Sequence, residues 1–184
     1  MTKSPGAGRI RQTLRDATME DHDRVDALFS PHALDDKGDY RAFLIAHARA
    51  LGALEPAARP AAPRLPLLER DLDALDTPMP APMVLPENNM ENGGDGYRWG
   101  LLYALEGSRL GGAMLARRVG ADLPKSYLSA THGKGDWIAF QTAMDVAGME
   151  GGEGWLDAAV QGARAAFALF AGAAQAVVPA RAHG

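Results

Sequence analysis

Helical periodicity repeats along almost the whole chain, and no segment shows the two-residue alternation of a β-strand. The first pattern ends at Ser30-Pro31, and its apolar residues recur every three or four positions: Ile10, Leu14, Ala17, Val25 and Leu28. A second helix is predicted over 40–54, capped by Asp39 and ended before Pro56. These patterns favour an all-α fold of six to eight packed helices.

Further helices are predicted over 65–75, over 97–119, around 137–144 and from Trp155 to Pro179. The glycines between 148 and 154 are expected to end the helix around 137–144.

The length of 184 residues fits one domain. We therefore expect residues 1–184 to form a single unit, with flexible tails over 1–8 and 180–184. Residues 76–96 carry too many Pro, Asn and Gly for regular structure, which predicts a long loop.

Charge and composition narrow the function classes. The net charge of -4 gives no basic field for nucleic acid, and zero cysteines exclude disulfides, a thiolate metal site and a thiolate-ligated heme. The first residues lack the apolar core of a signal peptide, and the longest apolar stretch, 165–178, is too short to span a bilayer. We expect a soluble cytoplasmic protein with no membrane partner.

His22 lies at the edge of the apolar stripe of the first helix. Arg11 and Arg15 lie up to three turns before it, and Asp26 lies one turn after it. This border suits a flat amphipathic ligand whose iron binds the imidazole and whose carboxylates face arginine. A surface His–Asp pair of little energetic consequence is the alternative interpretation.

Three glycines interrupt the long predicted helix over 97–119: Gly107, Gly111 and Gly112. Interior glycines cost about 0.8 to 1 kcal/mol each relative to alanine, so something must offset roughly 2.5 to 3 kcal/mol. Either another helix crosses closely there, or a flat ligand needs bare backbone and the helix bends. In the second case Ser108 is placed to hold one member of a hydrogen-bond chain.

Two segments carry a family resemblance. LRDATMEDHDRVD (14–26) and YALEGSRLGGAMLARRV (103–119) resemble the proximal and distal helix motifs of heme oxygenases. They are most similar to the soluble bacterial branch that includes enzymes supplying biliverdin to bacterial phytochromes. The resemblance implies a single-domain, multi-helix heme oxygenase-like fold that holds its ligand between the first helix and a glycine-kinked distal helix.

The resemblance also assigns roles to individual residues. His22 matches the proximal heme ligand and Asp26 the acid one turn later. The positions that match the distal glycines and a pocket-lining aromatic are Gly107, Gly111, Gly112 and Phe167. Ser108 stands where many members carry an aspartate that organises water, so the proton-delivery network here must differ.

A second departure concerns the heme propionates. Family members commonly steer them with basic residues on the next-to-last helix, yet residues 135–163 contain no Lys or Arg. Arg11, Arg15 and Arg164 remain as candidates, and the meso carbon that is attacked is not predicted.

By resemblance, the reaction is oxidative cleavage of heme, at once substrate and cofactor, to biliverdin, carbon monoxide and ferrous iron. It uses O2 and an external reductant, because the chain carries no nucleotide-binding fingerprint. A ferredoxin or a flavin/NADPH-linked reductase is the implied electron donor, and a phytochrome is a candidate biliverdin acceptor. The alternative, motivated by Ser108 and the missing cations, is a heme carrier or protein-binding regulator without turnover.

Overall fold

The computed structural model describes residues 8–87 and 95–177, which form seven helices and no strand. The helices are α1 (Arg9–Phe29), α2 (Lys37–Ala58), α3 (Leu65–Asp73), α4 (Gly96–Ala116), α5 (Ser126–Ser129), α6 (Asp136–Glu150) and α7 (Trp155–Ala176). The predicted all-α fold is therefore confirmed. Most of the two expected tails, and residues 88–94 of the expected loop, lie outside the described residues. None of the described helices is long and apolar enough to cross a bilayer.

The ends of α2 differ from the prediction. Asp36, not Asp39, caps the helix, because its carboxylate accepts hydrogen bonds from the backbone N–H groups of Gly38 and Asp39 at 2.9 and 3.0 Å. At the other end α2 continues through Pro56 to Ala58. Proline in the last turn removes one backbone hydrogen bond, and burial of that turn offsets the loss.

One further difference concerns the second half of the chain. The short helix α5 lies in a stretch where the sequence pattern predicts no helix. Helix α6 ends at Glu150 with Gly151 at its C-cap, so the glycines between 148 and 154 end this helix as predicted. Gly148, inside the helix, lies against α1, where a Cβ would overlap the Ile10 side chain. This glycine provides close helix contact and does not terminate the helix.

Helix α7 is the centre of the fold. Helices α1, α2 and α4 all pack against it, whereas α1 and α4 make little contact with each other. Along α1, Leu14 belongs to the same buried cluster as Ala159 and Ala163 of α7, and His22, further along, lies against Phe167. The two helices therefore run in the same direction.

The first half of α4 meets α7 backbone to backbone. A Cβ at Gly96 would overlap the carbonyl oxygen of Trp155, and one at Gly100 would overlap that of Ala159. The residue numbers at these contacts increase along both helices, so α4 runs in the same direction as α7. Glycine is required at both positions because any side chain would push the helices apart.

A carboxylate fixes the start of α4. Asp95 accepts hydrogen bonds from the indole N–H groups of Trp155 at 2.8 Å and Trp99 at 2.9 Å. Burial alone raises the pKa of Asp95, but these bonds and one from Arg98 outweigh it and hold the pKa below its usual value.

Candidate functional site

We infer a groove between α1 and α4, because both helices pack on α7 and make little contact with each other. They touch through Thr18 of α1, whose hydroxyl is hydrogen bonded to the phenol of Tyr103 of α4, and burial raises the pKa of that phenol. Because both helices run the same way along α7, we expect His22 on α1 and Gly107 on α4 to lie on the two sides of this groove, one turn beyond the contact. We call this space the α1–α4 groove, defined by His22, Gly107, Gly111 and Phe167.

His22 stands on the α1 side of the groove with 58% of its side chain exposed. Its ring meets Phe167 of α7 edge-on, with 6.0 Å between the ring centroids. Its Nδ1 lies 3.6 Å from Asp26 and equally far from Asp23. The structure thus brings together His22, Asp26 and Phe167, which were all expected at the site, and adds Asp23. The His22 Nε2 atom is on the side of the ring away from both carboxylates.

The three distal glycines separate into two kinds. A Cβ at Gly111 would meet nothing within 4 Å, and one at Gly107 would touch only the tip of Trp137 at 3.8 Å. A Cβ at Gly112 would instead lie 2.9 Å from the carbonyl oxygen of Leu128. Close helix crossing therefore explains Gly112, which faces α5 and not the groove, whereas Gly107 and Gly111 present bare backbone to open space.

Ser108 is held from behind by a buried arginine. Arg64, in the α2–α3 loop, is only 3% exposed, and its guanidinium donates to the Leu105 carbonyl at 3.0 Å and to Ser108 Oγ. The same guanidinium lies 5.1 Å above the ring of Tyr127. Sequence reasoning missed Arg64 because it belongs to no motif and lies 44 residues before its partner.

His47 extends these buried polar contacts toward α2. Its Nδ1 is hydrogen bonded to the Tyr127 hydroxyl at 2.7 Å, and its ring stacks on Phe43 with 4.2 Å between centroids. Burial lowers the pKa of His47 to about 3, with smaller contributions from Arg64 and His32. His47 is therefore a neutral core histidine, as its place on the apolar face of α2 predicts.

Two of the three expected propionate cations are engaged elsewhere. Arg11 lies 3.6 Å from Asp145 and donates to Gln141 at 3.3 Å, which ties α1 to α6. Arg164 donates to the Ala17 carbonyl at 3.0 Å, which ties α7 to α1. Arg15 is exposed and forms no hydrogen bond or ion pair with any described residue, so it is the cation free to meet a ligand.

A separate cavity of about 470 Å³ lies between α4 and α6. Its aromatic walls include Trp99 and Phe140. Polar groups in its wall are already paired: His132 Nε2 lies 2.9 Å from the Glu106 carbonyl, and the Glu106 carboxylate accepts from Arg109 at 3.0 Å.

Comparison with known proteins finds similarity in both sequence and structure. No family model matches the chain. A protein named heme oxygenase from Xanthomonas campestris pv. campestris (strain 8004) is 41% identical over 54 residues, which is 29% of this chain and 30% of that protein. The match therefore spans less than a third of that relative's length.

The structural match covers much more of the chain. The heme oxygenase of Neisseria meningitidis, solved in NO-bound and CO-bound forms, superimposes with a TM-score of 0.73 over 91% of this chain and 90% of that chain, at 24% sequence identity. The heme oxygenase-like fold that the resemblance implies is thereby confirmed.

Proposed function

We propose that the chain binds heme in the α1–α4 groove and cleaves it oxidatively to biliverdin, carbon monoxide and ferrous iron. The observation that carries this proposal is the bare backbone of Gly107 and Gly111 on the helix across the groove from an exposed histidine. The two segments are not pressed together, so the close-crossing explanation of these two glycines does not apply.

The groove residues fit an iron porphyrin. A single imidazole suits an iron that keeps its opposite side open, and Phe167 offers an aromatic surface beside that imidazole. Side-chain-free backbone at Gly107 and Gly111 leaves room for a flat macrocycle. Among residues 8–87 and 95–177, no three His, Asp or Glu side chains are grouped to hold a bare metal ion.

Each groove residue has a distinct task in this proposal. His22 binds the iron through Nε2, and Asp23 and Asp26 beside Nδ1 favour the tautomer with hydrogen on that nitrogen. Arg15 pairs with a propionate. When bound, heme supplies both the iron that activates O2 and the carbon skeleton that is cleaved.

Electrons come from outside the chain, through a ferredoxin or a flavin/NADPH-linked reductase. The corresponding product acceptor is a phytochrome, and the setting is the cytoplasm. Copurification of the protein with biliverdin from cells that express such a phytochrome tests this assignment.

A hemin titration tests the binding step. Wild-type protein should give a histidine-ligated Soret band at one equivalent of hemin, and His22→Ala should lose it. His132→Ala is the matched control, because His132 lies outside the groove, and it should bind hemin like the wild type. A Soret band that is unchanged in His22→Ala would overturn the assignment of His22.

A turnover experiment separates the enzyme from a heme carrier. With an electron donor and O2, the Soret band should give way to biliverdin absorbance, and carbon monoxide should be released. A heme spectrum that persists under these conditions would favour the carrier. The comparisons favour the enzyme, because the Xanthomonas and Neisseria proteins described above are each named heme oxygenase.

A further inference from the structure

A charged side chain is buried behind the groove, where the proposed reaction does not use it. The guanidinium of Arg64 reaches α4 from the α2–α3 loop and donates to two oxygens on that helix, the Leu105 carbonyl and Ser108 Oγ. The loop itself is fixed independently, because Glu55 accepts the backbone N–H groups of Arg64 and Leu65 at 2.7 and 3.0 Å. Anchoring of the loop therefore does not require the guanidinium.

The Leu105 carbonyl oxygen has more hydrogen-bond donors around it than it has lone pairs. The Ser108 hydroxyl has one hydrogen, which it donates to the Leu105 carbonyl at 2.7 Å. That carbonyl also accepts from Arg64, and α4 continues past Arg109, whose backbone N–H points at the same carbonyl in a regular helix. Three donors thus meet an oxygen with two lone pairs, and the Ser108 hydrogen is the one that is free to rotate.

We infer that Arg64 is a positioning residue for Ser108: it occupies the Leu105 carbonyl and Ser108 Oγ, so that the Ser108 hydrogen is free to turn toward the groove. There it donates to a water molecule or anion beside the bare backbone of Gly107 and Gly111. The inference rests on the proposed function and concerns how this chain manages with a serine at position 108.

The arrangement differs physically from a carboxylate at that position. A carboxylate accepts hydrogen bonds and carries negative charge, whereas a serine backed by a guanidinium donates a hydrogen bond and has a positive charge behind it. The pair therefore stabilises negative charge on a small ligand in the groove. Ser108 remains partly exposed, as this role requires.

The test measures azide binding to the ferric hemin complex, because azide is an anion that a distal donor stabilises and its binding shifts the Soret band. Ser108→Ala should weaken azide binding about tenfold, as expected for loss of one hydrogen bond to a charged partner. Ser108→Thr keeps the hydroxyl and should bind azide within about twofold of the wild type.

Arg64 is tested in the same assay. Arg64→Gln should also weaken azide binding about tenfold, and in the Ser108→Ala background it should add little, because the arginine acts through the hydroxyl. Arg64→Lys is the variant more readily accommodated at this buried position; it lacks the planar fork and should lose at least about threefold. Equal azide affinity in Arg64→Lys and the wild type would overturn the inference, as would additive effects in the double variant.

The two proposals fail in different ways. If wild-type protein forms no His22-dependent hemin complex, the proposed function fails before azide is added. If the complex forms and azide affinity is the same in Ser108→Ala, Ser108→Thr and the wild type, only the positioning role fails. A purely structural arginine would change the free energy of unfolding and leave the azide affinity of the folded complex unchanged.

Discussion

The two halves of α4 carry glycines on one face of the same helix for opposite reasons. In the first half, Gly96 and Gly100 let the backbone of α4 touch the backbone of α7. In the second half, Gly107 and Gly111 continue the same face, but α1 and α4 have separated and no helix backbone lies against these glycines. Glycine enables packing in one half and leaves space in the other.

The comparison shows how the fold builds a groove without extra elements. Each interior glycine costs about 0.8 to 1 kcal/mol relative to alanine. The packed half recovers that cost within the folded chain, whereas the open half recovers it only when something occupies the groove. A small side chain in the open half should therefore leave the heme-free protein folded and even make it more stable.

The largest effect is expected from Gly100→Ala. The added methyl would overlap the Ala159 carbonyl, which is backbone and has no freedom to move aside. We expect the free energy of unfolding to fall by about 3 kcal/mol or more, measured by urea denaturation of the heme-free protein. A variant as stable as the wild type would contradict the close contact of α4 with α7.

His47 lies behind the open half of α4 and Asp95 lies at the start of the packed half. Their contributions to the free energy of unfolding should change over different pH ranges. The pKa of His47, behind the open half, is about 3 when folded against an ordinary value of 6.5, so the unfolded chain binds the additional proton below pH 6.5. The contribution of His47 to the free energy of unfolding is therefore fully present above pH 6.5. It decreases as the pH falls, by at most about 1.4 kcal/mol per pH unit. The carboxylate of Asp95, whose pKa is lowered, loses its contribution only below about pH 3.8.

Urea denaturation at pH 7 and pH 5 tests this difference. His47→Gln should lose about 1 to 2 kcal/mol less than the wild type between these two values, because it has no group to protonate. Asp95→Asn should be less stable than the wild type at both values and show the wild-type pH dependence between them. Parallel pH curves for His47→Gln and the wild type would contradict a buried neutral histidine.

Gly111→Ala should have the opposite sign to Gly100→Ala. Its methyl meets nothing within 4 Å, so the gain in helix propensity should stabilise the heme-free protein by about 0.5 to 1 kcal/mol. The same methyl should weaken hemin binding about tenfold, because it enters the groove. Unchanged hemin affinity in this variant would contradict the proposal that hemin lies against the open half of α4.

The smallest effect is expected from Arg15→Gln, which removes the free cation at the start of the groove. Loss of one exposed ion pair with a propionate should weaken hemin binding about threefold and alter the ratio of biliverdin isomers, measured by product chromatography. Arg24→Gln is the matched control, since Arg24 lies on the other side of α1 and is also exposed. Equal behaviour of the two variants would exclude Arg15 as the propionate anchor.

Much of this architecture is predictable from local pattern. The apolar periodicity locates six of the seven described helices, and only the four-residue α5 has too few residues to show it. The His22 and glycine motifs predict the two sides of the groove. Periodicity cannot separate Gly112 from Gly111, because the neighbouring residue that fills or leaves the space comes from elsewhere in the chain.

The long-range polar contacts are the part that the sequence does not reveal. Arg64 reaches Ser108 from a loop without a motif, and Arg11 and Arg164 turn away from the groove to bind α6 and α1. Tertiary packing determines the partner of each of these arginines. A long, flexible side chain reaches several partners, and local spacing does not select among them.

The most direct test of the groove is a crystal structure of the protein with hemin. The account predicts an iron bound to His22 Nε2 and a macrocycle lying between α1 and the bare backbone of Gly107 and Gly111. Hemin seated instead in the cavity between α4 and α6, or bound without His22, would contradict it.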